Sequence, residues 1–278
     1  MMTERNALCL CGSGKKYKKC HGAPSAFDID KEDAISWQRR AAYEGSQGQQ
    51  REDFIKRYTV YKKHRLSEIT DSTNLTARAG GKTISCGEGC AHCCHIYVSA
   101  TLPECEAIVY NLYQHEGAFR NFLNNYANWQ QHIRSIDAAY KEIGRLRSRQ
   151  LAQLVNEAEC TALSAALNTY ASLYIPCPFL SQASCSIYEV RPYVCAGLVA
   201  TTPREWCRYG HSAQEHAEFI KAKAYLDNDM PYLDNSLVKI MVSNLPALVN
   251  ALLYRGWDLL GRVSGFEVPA QSNSDSLS

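Results

Sequence analysis

Cys86-Gly-Glu-Gly-Cys90-Ala-His-Cys93-Cys94-His95 is the stretch on which the reading of this chain turns. Its four thiols are so closely spaced that one loop can grip an ion with two or three thiolates. The pattern resumes far downstream, as Cys177-Pro-Phe-Leu and then Cys185-Ser-Ile-Tyr-Glu-Val-Arg-Pro-Tyr-Val-Cys195. The distant segment is expected to close the site once the helices in between pack, so that sulfurs of both stretches share one inorganic centre. Cys207 is a weaker candidate for the same group. Cys105 and Cys160 fall in helical patterns and read as ordinary buried cysteines.

Working outward, the 278-residue chain carries thirteen cysteines, an odd and clustered set that argues for metal ligation rather than disulfides. Met1 to Leu10 has no apolar run and a polar, lysine-rich segment follows, so no cleavable leader is expected. A reducing compartment, the cytoplasm, is the expectation. A hydrophobic share of 46% and a charged share of 21% are ordinary for a soluble globular protein. The formal charge of +2 gives no overall preference for nucleic acid or an anionic membrane. The longest apolar stretch, Leu237 to Tyr254, is interrupted by Lys239, Ser243, Asn244, Pro246 and Asn250, and reads as buried helix rather than a membrane span.

The expected class is mainly α: a helical domain with a loop-built composite cysteine cluster, plus a small N-terminal zinc knuckle. The expected division is 1–24 for the knuckle, 25–268 for the helical cysteine-cluster domain with cluster segments 86–95 and 177–207, and 269–278 for a disordered tail. Residues 28–68 are helix-compatible, with Gly45 and Gly48 as expected breaks. Thr70 to Gly81 reads as loop, turning at Gly80-Gly81. Thr101-Leu-Pro-Glu104 fits a capping box that opens a helix carrying Ile108, Leu112 and Tyr113. Residues 118–172, with Leu146, Leu154 and Leu163, predict one or two long helices. Ile175 to Cys207 is rich in proline and reads as loop. His211 to Leu226 and Ser236 to Leu260 read as helices, the second broken at Pro246 and Gly256. No sustained strand pattern is present.

A separate thiol set lies at the N-terminus: Cys9-Leu-Cys11-Gly-Ser-Gly-Lys-Lys-Tyr-Lys-Lys-Cys20-His21. Three thiolates and one imidazole suit tetrahedral zinc, and Gly12 and Gly14 let the chain turn back between ligand pairs. So short a unit buries too little surface to fold alone, and metal would supply most of its folding energy. Asn6 to Gly22 closely resembles the SEC-C zinc-binding motif known from the tail of the SecA translocation ATPase. Leu10 stands where that family often has proline. The resemblance implies zinc at Cys9, Cys11, Cys20 and His21, and a docking module for a protein partner or the ribosome. Lys15, Lys16, Lys18 and Lys19 either meet an acidic protein or ribosomal RNA, or simply solvate the loop. No membrane partner and no specific nucleic acid are expected.

The Cys-x-x-Cys-Cys run, the Cys-Pro-Phe-Leu and the Cys-x-Ile-Tyr-x-x-Arg-Pro-x-x-Cys resemble the YkgJ-type cysteine-cluster family, described as zinc- or iron-chelating proteins. The resemblance spans about Cys86 to Cys207. It implies metal ligation by Cys86, Cys90, Cys93, Cys94, Cys177, Cys185 and Cys195, with zinc, iron or an iron–sulfur cluster as occupant. Seven thiolates exceed the needs of one tetrahedral zinc. Some are spare, or two ions share ligands, or an iron–sulfur cluster takes four. Ligand type alone does not choose. His92 and His95 are alternates or neighbours facing solvent. Arg191 either bonds the anionic centre or caps loop carbonyls, Pro192 stiffens the turn, and Tyr188 reads as packing.

Two other functions stay in view. One is an iron–sulfur or metal-dependent enzyme, since flagellin lysine methylases resemble the same family; no catalytic array can be assigned. The other is a metal store or chaperone. Cys86-x3-Cys90-x2-Cys93 matches the radical S-adenosylmethionine spacing, but the long helices that follow do not build that barrel. Gly81-Lys82-Thr83 imitates a P-loop ending without its upstream glycine or strand and is set aside.

Overall fold

The computed structural model describes residues 42–43, 45–151, 154–222 and 242–260. The N-terminal ligand set Cys9, Cys11, Cys20 and His21, the domain boundaries at 24 and 268, and the tail after Pro269 lie outside the described residues. Within them the chain is mainly α-helical. Seven helices carry the fold: α1 (Gly45–Ala79), α2 (Leu102–Leu112), α3 (Glu116–Ser135), α4 (Asp137–Leu151), α5 (Glu157–Ser172), α6 (Tyr193–Gly197) and α7 (Leu245–Leu260). Three short antiparallel pairs join them. These are β1 (Ser99–Thr101) with β6 (Val242–Asn244), β2 (Leu180–Ser181) with β3 (Ser184–Cys185), and β4 (Leu198–Ala200) with β5 (Phe219–Lys221).

α1 departs from expectation in two places. It runs unbroken through Gly48, and it absorbs Thr70 to Ala79, which read as loop. Gly48 is there for closeness, since a Cβ would stand 2.5 Å from the Tyr43 carbonyl carbon. Thr70, Thr73 and Thr76 turn their hydroxyls back onto the carbonyls of Leu66, Thr70 and Ser72, which removes their competition with the helical backbone. Ile55, Tyr58, Lys62, Leu66, Ile69, Thr73 and Ala77 form one buried stripe at helical spacing. The turn comes at Gly80-Gly81 as expected, with Gly81 at φ +65.

α2 opens as the sequence predicts. The Thr101 hydroxyl accepts the Glu104 N–H, and the Glu104 carboxylate accepts the Thr101 N–H, with Pro103 in the first turn. Its buried Glu106 meets Arg51 of α1 through two hydrogen bonds of 2.7 and 3.0 Å. Residues 118–172 form parts of three helices rather than one or two. Ile136 leaves helical geometry, and Asn156 with Glu159 caps a fresh start at α5. Leu154 sits exposed in that link, while Leu146 and Leu163 are buried.

Of the predicted helix over His211 to Leu226, residues 223–226 lie outside the described residues, and the rest is instead a short 3-10 turn followed by β5, because β5 finds a nonlocal partner in β4. Pro246 begins α7 instead of breaking it. Asn244 Oδ1 accepts the Ala247 N–H, so proline occupies a first turn where its missing donor costs nothing. α7 also passes through Gly256.

The main core lies among α2, α3, α4, α5 and α7, with Phe122, Ile143, Leu146, Val249 and Leu253 sealed from solvent. Trp129 Nε1 donates to Tyr170 Oη at 3.0 Å, tying α3 to α5. A smaller apolar group joins Leu66 and Ile69 of α1 to Tyr193 and Ala196 of α6. No helix among the described residues is long and apolar enough to cross a membrane.

Candidate metal centre

The first cysteine segment lies between the end of α1 and β1. Gly89, at φ +81, reverses the chain between Cys86 and Cys90, and the Cys90 N–H closes the turn on the Gly87 carbonyl at 3.1 Å. A 3-10 turn, His92–His95, then carries Cys93 and Cys94.

The second segment starts from Tyr174, whose φ of +48 is a strained conformation for a bulky residue. The strain sets its ring flat on His95 of the first segment, centroids 3.8 Å apart. Three residues later the Cys177 N–H donates to the Cys94 carbonyl at 2.7 Å. The two distant stretches therefore meet directly. The loop behind Cys177 is held from the core: Phe179 stacks on Phe122 at 4.6 Å, and Asn125 Nδ2 donates to the carbonyls of Pro178 and Leu180, each at 3.1 Å. The β2–β3 hairpin places Leu180 opposite Cys185 across a two-residue turn, Gln182-Ala183, with both residues at positive φ.

Cys195 sits on α6, a single turn and a half of helix docked on α1. Its start is fixed by Glu104, whose Oε1 accepts the Tyr193 N–H at 2.8 Å while Oε2 completes the α2 capping box. One buried carboxylate thus locates two helix starts. Sequence reasoning assigned Glu104 only the local half of that work, because the other half is nonlocal. Asn125 carried no sequence signal at all.

The sulfurs lie within each other's electrostatic reach. Burial pushes the Cys177 thiol up to about 12, with neighbouring Cys185 and Cys93 adding to the rise. Burial likewise raises Cys195 well above an ordinary thiol, reinforced by Cys93, Cys177 and Cys185. Cys185 is raised by burial too, against the opposing pull of the Ile187 N–H and of Arg191. The Cys94 thiol donates toward Cys93, so Cys93 is lowered to about 7 and Cys94 is raised. Burial raises Cys86, which accepts the Ala200 N–H at 3.1 Å and neighbours Cys90 and Cys93. Cys207, read from sequence as a weaker candidate, belongs to this neighbourhood. Its thiol is pushed up to about 11 by burial and then by Cys86, Cys90 and Cys93.

Arg191 takes the carbonyl-capping role, and it acts on the thiols through its charge. Nη1 donates to the Tyr188 carbonyl at 2.6 Å, and its charge also acts on Cys93 and Cys185. Tyr188 is half-exposed rather than packed, and its ring is a platform 3.7 Å from the guanidinium. His95 is half-buried, with Nδ1 at 3.1 Å from the Ala91 carbonyl. His92 Nδ1 is buried without a hydrogen-bond partner. Cys105 is buried as expected, but Cys160 is exposed, one turn ahead of Leu163 where the inner face of α5 begins.

Among the described residues no three Cys, His, Asp or Glu side chains converge tightly enough to cage an ion as they stand. The donor chemistry nonetheless fits a thiophilic cation. Neighbouring thiols that burial keeps protonated are the groups a cation can deprotonate and neutralise.

Comparison with known proteins agrees with that chemistry. Residues 85–223 match the family described as CxxCxxCC, "Putative zinc- or iron-chelating domain". Residues 5–23 match the SEC-C motif. A stretch of 24 residues is 79% identical to protein translocase subunit SecA 1 of Thermobifida fusca (strain YX), covering 9% of this chain and 2% of that protein. The likeness to that relative is therefore confined to a motif. No solved structure matches the chain significantly.

Proposed function

The chain belongs to the CxxCxxCC family of zinc- or iron-chelating domains, and from that premise we propose that it holds zinc or iron in a centre drawn from both of its distant cysteine segments. The ligands in this reading are Cys86, Cys90, Cys93, Cys94, Cys177, Cys185 and Cys195. The observation that carries it is the 2.7 Å bond from the Cys177 N–H to the Cys94 carbonyl, which supports a single site built across more than eighty residues of chain. A bound cation would replace the thiol protons and offset the mutual repulsion of the thiolates.

A second, smaller zinc site at Cys9, Cys11, Cys20 and His21 is supported by the SEC-C match. We assign it the role of a knuckle that docks a protein partner or the ribosome, next to a larger unit that extends to about residue 268. Thiols so numerous need a reducing compartment, and the cytoplasm suits them.

Metal analysis and absorption spectroscopy on anaerobically purified protein test this reading. Metal should be present in two classes. Cys9→Ser with Cys20→Ser should release one class and leave the other. A colourless zinc protein and a brown one with charge-transfer bands would distinguish the two families of occupant. A protein that retains no metal in that double variant would sink the central site.

A further inference from the structure

We propose that Ser85 is a positioning residue for the metal centre: it clamps the chain to the open edge of β4 and so turns the Cys86 sulfur onto the Ala200 N–H. The inference rests on the metal-binding reading above and adds to it what presents one of the ligands.

Among the described residues β4 has one strand partner, β5. On that side the Thr201 N–H donates to the Glu218 carbonyl at 3.0 Å, continuing the ladder. Successive residues of a paired strand turn their backbone groups to opposite edges, so Ala200 faces away from β5. Residues 85 and 86 occupy that edge. The Ser85 N–H donates to the Ala200 carbonyl at 2.9 Å, and the Ala200 N–H donates to Cys86 Sγ at 3.1 Å. The sulfur stands where a further strand would supply a carbonyl.

The Ser85 hydroxyl fastens this arrangement. Its Oγ–H donates to the Thr202 carbonyl at 2.5 Å, and Oγ lies 3.1 Å from the Ala200 carbonyl. Thr202 is held in turn, since its Oγ1 accepts the Glu218 N–H at 3.1 Å. Lys82 also reaches the Glu218 carboxylate at 2.6 Å, but both side chains are about half exposed, so that ion pair contributes little. The hydroxyl thus ties the start of the first cysteine segment to the strand that follows α6 and Cys195.

A neutral thiol accepts a hydrogen bond weakly and a thiolate strongly. When a cation takes the Cys86 sulfur, the thiol proton passes to solvent, and the Ala200 N–H is already aimed at the charge left behind. Groups that orient a metal ligand in this way typically change metal affinity by about 10–100-fold. The Ser85 hydroxyl is spent on a carbonyl, so it acts through Cys86 and is not itself a ligand.

The test uses the full chain carrying Cys9→Ser and Cys20→Ser, loaded anaerobically with cadmium-113. NMR should show a scalar coupling between cadmium and the Ala200 amide proton, which requires an N–H···S–Cd contact. Adding Ser85→Ala should weaken or abolish that coupling and lower cadmium affinity about tenfold in competition with EDTA. Ser85→Thr keeps the hydroxyl and should restore both. Cadmium held without the Ala200 coupling overturns the positioning role and leaves the metal-binding reading standing. So does a coupling and affinity that Ser85→Ala leaves unchanged, or a loss that Ser85→Thr does not restore. No retained cadmium overturns both. Should Ser85→Ala fail to fold by circular dichroism, the Ala200 coupling in the parent chain and its survival in Ser85→Thr decide.

Discussion

The helical body and the cysteine-bearing loops are held together by different means. In the body, Phe122, Ile143, Leu146 and Val249 are wholly sealed, and whole side chains interlock around them. In the loops the ladders are two or three residues long, and no cysteine of the cluster segments is fully buried as a residue. Burying a large apolar side chain contributes about 1.5–3 kcal/mol, so the body can stand on its own core. The loops have no comparable core and depend on anchor bonds, on the docking of α6, and on whatever the thiols bind. Stability and chemistry have been assigned to separate parts of one chain.

The sharpest way to break that division is to strip the metal. Structural zinc supplies about 10–16 kcal/mol in small zinc domains, so chelation should abolish hydrogen-exchange protection across 85–95 and 175–207. Amides of α3, α4, α5 and α7 should keep theirs, and a uniform loss of protection would refute the division.

Phe122→Ala probes the joint from the core side. It should cost about 3–5 kcal/mol in chemical denaturation and also weaken metal retention, because Phe122 is the surface on which Phe179 stacks. An unchanged metal affinity would mean the loop does not rely on that stack.

Arg51→Met tests the α1–α2 join, which positions the α6 dock. Removing one partner of a buried ion pair should cost about 3–5 kcal/mol, and the double variant with Glu106→Leu should recover much of it.

The mildest effect is on pH. Burial pushes the Cys177 thiol up to about 12 and the Cys207 thiol up to about 11, above the ~8.5 of an unfolded thiol. The folded state therefore keeps protons that the unfolded chain releases. Through these two thiols, stability of the metal-free protein should fall as pH rises above about 8 toward the folded values. Metal-loaded protein has no Cys177 proton to keep and should show less of the decline, which urea titrations at several pH values would reveal.

Much of the architecture was legible where it is local. Thr101 and Glu104 announce α2 because a capping box is a short-range exchange of two hydrogen bonds. Gly80-Gly81 marks its turn for the same reason. The misreadings came partly from local contacts that the residue pattern does not reveal and partly where a distant partner decides. Gly48 looks like a helix breaker until the Tyr43 backbone is seen against it. The 70–79 stretch looks like loop until its threonines bond backward and Ala77 is buried. Phe219 to Lys221 becomes a strand only because Leu198 to Ala200 pairs with it. In the cysteine region, the spacing points to the close set from Cys86 to Cys94. Cys207 is legible only as a weaker candidate, and Asn125 lies in a helix whose sequence does not mention the loop it steadies.

The grip of Asn125 and Phe122 on the Cys177 loop has a kinetic corollary. With one jaw of the vise bolted to the helices, ordering that jaw is no longer charged against ion capture. From the proposed centre, release is expected through the other jaw, the loop around Gly89. The residence time of an ion in the proposed centre is then expected to follow the opening of that loop as well as the hold of Phe122 on the Cys177 side.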